Sequence, residues 1–135
     1  MYEQIGSVSN ETIKRLLAVA EKSTWKIVKD DEKNFRTCYV ELANQELLAR
    51  WDKWHSSFFL LIPPGGMVHK HIDKDHVWNT YHVVVQTNDH CFSYVGDKPF
   101  HLEVGGIYSI NRLVEHHSVN NGETDRIHLL AEVYE

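Results

Sequence analysis

Two cysteines are too few for a disulfide framework. Cys38 and Cys91 both sit in alternating, strand-like runs, so they are expected as reduced thiols in or near the core of an intracellular protein. A Lys/Arg run or basic stripe is also missing, and 14 basic residues against 19 acidic ones leave a formal charge of -5. Nucleic acid therefore has nothing to grip as a partner. No apolar run approaches the length of a membrane span, and the opening Met-Tyr-Glu-Gln-Ile-Gly lacks the basic and apolar regions of a signal peptide. A cytoplasmic protein with no membrane partner is the expectation. Repeats, low-complexity tracts and linkers are lacking too. That leaves a single domain over 1–135, whose 42% apolar content suffices for a modest core. What the chain has in plenty is histidine, ten in 135 residues.

The first 55 residues read as support. Ser9-Asn10 before Glu11 caps a helix whose stripe Ile13, Leu16, Leu17 and Ala20 recurs at 3.6-residue spacing and ends near Lys22, predicting an amphipathic helix packed on a sheet. Lys29 to Asn34 reads as a solvated loop and Phe35 to Leu42 as a strand. Leu47, Leu48, Trp51 and Trp54 predict a short second helix over Asn44 to Trp54, its tryptophans belonging to the core. From residue 56 the pattern changes to short strands: Ser56 to Ile62, Thr80 to Gln86, His90 to Val95, Pro99 to Leu102, Ile107 to Ile110, His116 to Val119 and Arg126 to Val133. Turn chemistry separates them at Asn88-Asp89, Gly96-Asp97, Gly105-Gly106 and Asn120-Asn121-Gly122. The fold class this predicts is mainly β with N-terminal helices, a jelly-roll-like double-stranded β-helix over 56–135.

Pro63-Pro64-Gly65-Gly66-Met67-Val68-His69-Lys70-His71-Ile72-Asp73 is the stretch that carries chemistry. In extended backbone, residues two apart point the same way, so His71 and Asp73 aim an imidazole and a carboxylate at one point. Composition alone yields about half a His-x-Asp by chance, and a surface pair is the plain alternative. The tripeptide gains weight from following a Pro-Gly turn that ends an apolar run. One further His would complete a facial two-His, one-carboxylate triad of the kind that holds non-haem Fe(II), and His116 stands about 45 residues on.

Other polar residues sit in strands. His82 precedes Val83-Val84-Val85, where a hydrogen-bonded core residue is the ordinary reading. Arg126 opens the last strand, and a guanidinium bound for a barrel interior needs an anion, which a small dicarboxylate would supply bidentately. His116 and His117 are strand neighbours, so at most one of them can face a given metal.

Pro63-Pro64-Gly65 through His71-x-Asp73, Tyr81-His82, Gly105-Gly106, Glu115-His116-x-x-x-Asn120 and Asp125-Arg126 together resemble the aspartyl/asparaginyl β-hydroxylase family of Fe(II)- and 2-oxoglutarate-dependent dioxygenases. The resemblance covers residues 56 to 135 and implies a cupin-like barrel. It implies Fe(II) on His71 and His116, with the spacing to Asn120 and Arg126 selecting His116 over His117. Asp73 would complete the triad, and Arg126 and His82 would hold the carboxylate of 2-oxoglutarate, with O2 as the other co-substrate. The implied activity is hydroxylation of an amino-acid or peptide side chain, or of a small acid, and His71, Asp73 and His116 are the expected catalytic centre. His69, His76 and His117 receive no role. Two alternatives stay open: a cupin-type metalloprotein working without an oxoacid, for which His69-x-His71 would supply a further ligand, and a non-catalytic barrel that binds a small ligand. Oligomeric state is not legible.

Overall fold

The computed structural model describes residues 2–41, 44–51, 54–74 and 78–134. Along the chain run β1 (Tyr2–Ser7), α1 (Asn10–Glu21), β2 (Lys26–Lys29), β3 (Asn34–Tyr39), α2 (Gln45–Leu48), β4 (Trp54–Ile62) and β5 (Met67–His71). There follow β6 (Asn79–Gln86), β7 (Cys91–Val95), β8 (Lys98–Phe100), β9 (Gly106–Ile110), β10 (His116–Asn120) and β11 (Arg126–Val133). Every described pairing is antiparallel, in the order β1-β9-β6-β11-β4-β3-β5-β10-β7-β8 with β2 on β3. The sheet turns back on itself at β3 and β5, joined by the single pair Asn34↔Met67. Gly66 permits that approach, because a Cβ there would meet the Asn34 carbonyl at 2.5 Å. The result is the expected double-stranded β-helix, a nearly closed antiparallel barrel.

β11 shows how the sequence divides outside from inside. Ile127, Leu129, Ala131 and Val133 alternate onto one face and join Phe59, Leu61, Tyr81, Val83 and Val85 in a buried cluster. Helix α1 covers that cluster with Ile13, Leu16 and Ala20, the stripe read from its periodicity. Its start is fixed by Ser9, whose hydroxyl accepts from the Thr12 amide at 3.2 Å. The main core therefore lies outside the barrel, between helix and sheet. Full burial of a side chain such as Leu129 is worth about 1.5–3 kcal/mol. Arg126, His128, Leu130 and Glu132 alternate onto the opposite face.

Three differences from the sequence reading have local causes. The second helix is only Gln45–Leu48; Trp51, beyond it, is buried as expected but stacks on Tyr81 at 5.2 Å, and the side chain of Trp54 lies outside the described residues. Lys26–Lys29 is a strand hairpinned to β3, which shortens the predicted loop. β1 was not foreseen as a strand, yet it pairs with β9 from Tyr2↔Ile110 to Ser7↔Gly106. Cys38 and Cys91 are free thiols, Cys91 buried. Among the described residues no helix is long and apolar enough to cross a membrane.

Candidate metal centre and carboxylate pocket

β5 ends where β10 begins, with His116 directly opposite His71 in the ladder. Opposed residues share a face, and the two rings lie 4.2 Å apart, centroid to centroid. Asp73, two residues past His71, brings Oδ2 to 3.1 Å from His116 Nε2 and 3.6 Å from His71 Nε2. One ligand atom from each of the three lies within 4.8 Å of the others.

The proton positions make this cluster ask for a cation. His71 Nδ1–H donates to the His69 carbonyl at 2.6 Å, and His116 Nδ1–H donates to the Val114 carbonyl at 2.7 Å. In each neutral ring the lone pair is then on Nε2, aimed at a carboxylate oxygen. Two lone pairs and a carboxylate facing one point repel unless a proton or a metal ion lies between them. For His116 burial opposes charge, but the Asp73 carboxylate and the Val114 carbonyl outweigh it and raise the pKa above the ordinary imidazole value. Two imidazoles oriented by carbonyls plus one carboxylate suit a divalent iron-type ion well.

Hydrogen bonds hold these three residues from two sides. Arg112 clamps Asp73: its carbonyl accepts from the Asp73 amide at 2.8 Å, and its guanidinium donates to the Asp73 carbonyl at 2.9 Å. Asn120, fully buried, donates to the carbonyls of Ile62 and Thr124, both at 2.8 Å, and accepts from the Gly122 amide at 3.0 Å. Backbone bonds from Gly65 to Asn120 and from Asn120 to Gly66 complete the lock. The Pro-Pro-Gly-Gly turn, with Gly65 at φ 76°, is thereby fixed to the end of β10. Asn120 thus holds the strand of His71 in register with that of His116.

Behind the triad the cavity, about 480 Å³ in volume, reaches Arg126. Arg126 is 3% exposed, and no carboxylate among the described residues pairs with its guanidinium. Burial pushes its pKa down to about 10, so it is charged at neutral pH. Its bonded partner is His128, whose Nδ1 accepts from the guanidinium at 2.7 Å. Because Arg126 can only donate, that nitrogen is an acceptor, and His82 Nδ1, 3.1 Å away, must be the donor to it. Burial, aided by Arg126, pushes the His82 pKa down to about 3 and that of His128 well below the imidazole value. Both rings are neutral, leaving Arg126 as the fixed charge at this end.

Sequence reasoning named Arg126 and His82 but missed the groups around them. Tyr2 is buried in contact with this end, 6.0 Å from the His82 ring. Desolvation raises its pKa, while Arg126 and hydrogen bonds with Ser93 and Ser118 act the other way. The two serine hydroxyls are 3.3 Å apart and buried. His69 lines the cavity but gives no atom to the cluster, and His117 faces away, stacked on Tyr94 at 4.5 Å. His76 lies outside the described residues.

A barrel of this topology with imidazole and carboxylate donors at the junction of its two walls places the protein among cupin-like metal-site folds. The sequence profile of one family, described as aspartyl/asparaginyl beta-hydroxylase, matches residues 14–135, and the chain belongs to that family. Membership supports an oxidoreductase of the hydroxylase type. No curated protein matches the sequence significantly. Solved structures share the fold at low identity. The non-heme alpha ketoglutarate dependent epimerase SnoN from nogalamycin biosynthesis is 11% identical, with 99% of this chain and 78% of that one covered at a TM-score of 0.79. A Pseudomonas putida prolyl-4-hydroxylase is 14% identical over 99% and 92% at 0.71. A predicted oxalate decarboxylase from Thermotoga maritima is 14% identical over 85% and 96% at 0.62.

Proposed function

We propose that the protein is an Fe(II)- and 2-oxoglutarate-dependent dioxygenase that hydroxylates a small substrate, with His71, Asp73 and His116 as the iron ligands. The observation that carries this reading is the pairing of a cation-seeking triad with a buried, carboxylate-free guanidinium in one cavity. A protein that only needed a metal would have no reason to bury Arg126 without a counter-ion, since an uncompensated buried charge is costly. A dicarboxylic co-substrate removes that cost.

The bound iron and oxoacid supply the redox chemistry: one atom of O2 goes to the substrate as hydroxyl, and the other to succinate as 2-oxoglutarate loses CO2. The protein supplies position. The Val114 and His69 carbonyls keep the two imidazoles in the tautomer that presents Nε2, and Arg112 holds Asp73 beside them. Arg126 takes the far carboxylate of the co-substrate, while His82 and His128 form a neutral wall that adds no competing charge. A cupin working without an oxoacid would leave Arg126 unexplained, and His69 contributes no ligand atom to the described cluster.

Anaerobic titration of the Fe(II) protein with 2-oxoglutarate should produce a weak visible charge-transfer band, and admission of air should release succinate. His116→Ala should lose metal and succinate together. Arg126→Ala should keep metal and lose oxoacid affinity. An unchanged spectrum in the wild-type titration sinks the assignment.

A further inference from the structure

One same-face step along β10 from His116, about 6.5 Å of strand, stands Ser118, whose side chain lines the cavity. Ser93 faces it directly across the ladder on β7. The two are 7% and 2% exposed. Their Oγ atoms lie 3.3 Å apart, long for an O–H···O bond, which prefers about 2.7–2.8 Å. A small apolar pair would fill the same space without burying two hydroxyls that satisfy each other so poorly. Tyr2 reaches them from β1 and hydrogen-bonds with both. Among the described residues the serine hydroxyls meet no other polar partner. Arg126 lies close enough to act electrostatically on Tyr2 and on Cys91, and Cys91 is the same-face neighbour of Ser93 on β7. Three hydroxyls, each with a proton to give, therefore converge on the guanidinium end of the cavity with only one another as acceptors.

We propose that Ser118 is a further co-substrate-binding residue, positioned by Ser93, and that the pair forms the floor that stops the co-substrate at five carbons. Ser118 donates its hydroxyl proton to the far carboxylate of 2-oxoglutarate beside Arg126, and Ser93 donates to Ser118 to hold it in that orientation. The inference rests on the dioxygenase reading and adds to it the residue that sets which oxoacid fits. The floor is rigid because Ser118 is paired on both sides, with Ser93 on β7 and with Val68 on β5. Three extended bonds of a chain span about 3.8 Å, so one more methylene lengthens it by about 1.3 Å. The working range of an O–H···O bond is only about 0.5 Å. A six-carbon diacid held at the metal in the same way therefore overruns the serines. A five-carbon oxoacid without the far carboxylate leaves them and Arg126 without an acceptor.

Calorimetric titration of the protein loaded with Zn(II), which is redox-inert, reads binding without turnover. Wild type should bind 2-oxoglutarate at least about tenfold more tightly than 2-oxoadipate, one methylene longer, or 2-oxopentanoate, which lacks the far carboxylate. Ser118→Ala should weaken 2-oxoglutarate about tenfold, leave 2-oxopentanoate and Zn(II) affinity unchanged, and narrow the gap to 2-oxoadipate. Ser93→Ala should act in the same directions by about threefold, since it works through Ser118. Unchanged 2-oxoglutarate affinity in Ser118→Ala overturns the assignment, as does an equal loss of 2-oxoglutarate and 2-oxopentanoate, or of Zn(II), in either variant. A wild type that takes 2-oxoadipate as tightly as 2-oxoglutarate removes the floor. The wild-type titration separates the two levels: 2-oxoglutarate binding that ignores the serines removes only this inference, whereas no binding of 2-oxoglutarate removes the dioxygenase reading beneath it.

Discussion

Replacing Arg126 by Met should stabilise the ligand-free protein and abolish its response to 2-oxoglutarate. The fall of the Arg126 pKa from 12.5 to about 10 corresponds to about 3 kcal/mol by which burial disfavours the charged guanidinium in the folded state. Arginine is charged in both folded and unfolded chains at pH 7, so that full difference opposes folding. Methionine keeps much of the aliphatic stem and carries no charge. It forfeits the hydrogen bond to His128, worth about 1 kcal/mol, while His128 Nδ1 keeps its second donor, His82. The net gain is about 1–2 kcal/mol. For a chain of this size that is a rise in Tm of about 4–8 °C. The wild type should instead gain about 2.7 kcal/mol from 2-oxoglutarate at a hundred times its Kd, and the variant nothing. Differential scanning calorimetry of the Zn(II)-loaded proteins with and without 2-oxoglutarate reads both effects. If Arg126→Met melts several degrees lower than wild type without ligand, or shifts as much with it, the guanidinium is a structural element and the reasoning fails.

Asn120→Ala should cost about 2–4 kcal/mol, because the carbonyls of Ile62 and Thr124 lose their donor inside the fold; a urea midpoint within error of wild type would show that the turn does not depend on it. Tyr2→Phe removes a hydroxyl from the Ser93, Ser118 and Arg126 group and should weaken 2-oxoglutarate about tenfold by calorimetry with Zn(II) affinity intact; unchanged affinity places Tyr2 outside the pocket. Acid stability follows from His82, whose folded pKa of about 3 lies below its ordinary value of 6.5. The unfolded chain then binds the extra proton, so this residue's contribution is whole above 6.5 and falls by about 1.4 kcal/mol per pH unit below it, about 2 kcal/mol at pH 5. His116, with its pKa raised, acts in the opposite direction in the metal-free protein. The test is therefore the difference between wild type and His82→Leu, measured by urea unfolding at pH 7 and pH 5. A difference that does not change with pH refutes it.

The parts of this site that could be read from the sequence are those whose geometry is local or whose spacing is shared by a family. His71 and Asp73 are two residues apart, so a single extended backbone brings them together without any knowledge of the fold. Arg126 could be read because a charged group opening an apolar strand demands a reason. Tyr2, Ser93 and Ser118 could not, since hydroxyls on short strands look the same whether they face water or a cavity. β1 stayed hidden for a related cause: Tyr2-Glu3-Gln4-Ile5-Gly6-Ser7 has little apolar alternation, and it is ordered by its partner β9 through backbone bonds rather than by its own pattern. His128 was within reach, for it stands two residues after Arg126 and must share its face. Its setting among Ile127, Leu129 and Leu130 carries no signal that separates it from a core histidine. The longer helix expected over Asn44 to Trp54 failed because Trp51 finds its ring partner in Tyr81, a contact made across the fold that needs no helical turn.

The two-faced last strand has a consequence for how this protein can change. One residue inserted within Arg126–Val133, unless a bulge of the kind already present at Ile127/His128 absorbed it, would invert every side chain beyond it, driving hydrocarbon into the cavity and ionic groups into the oil beneath α1. Loss of chemistry and loss of the fold would arrive in a single genetic event. Swaps in place and slips by two return each side chain to its own face, whereas an unabsorbed slip by one does not.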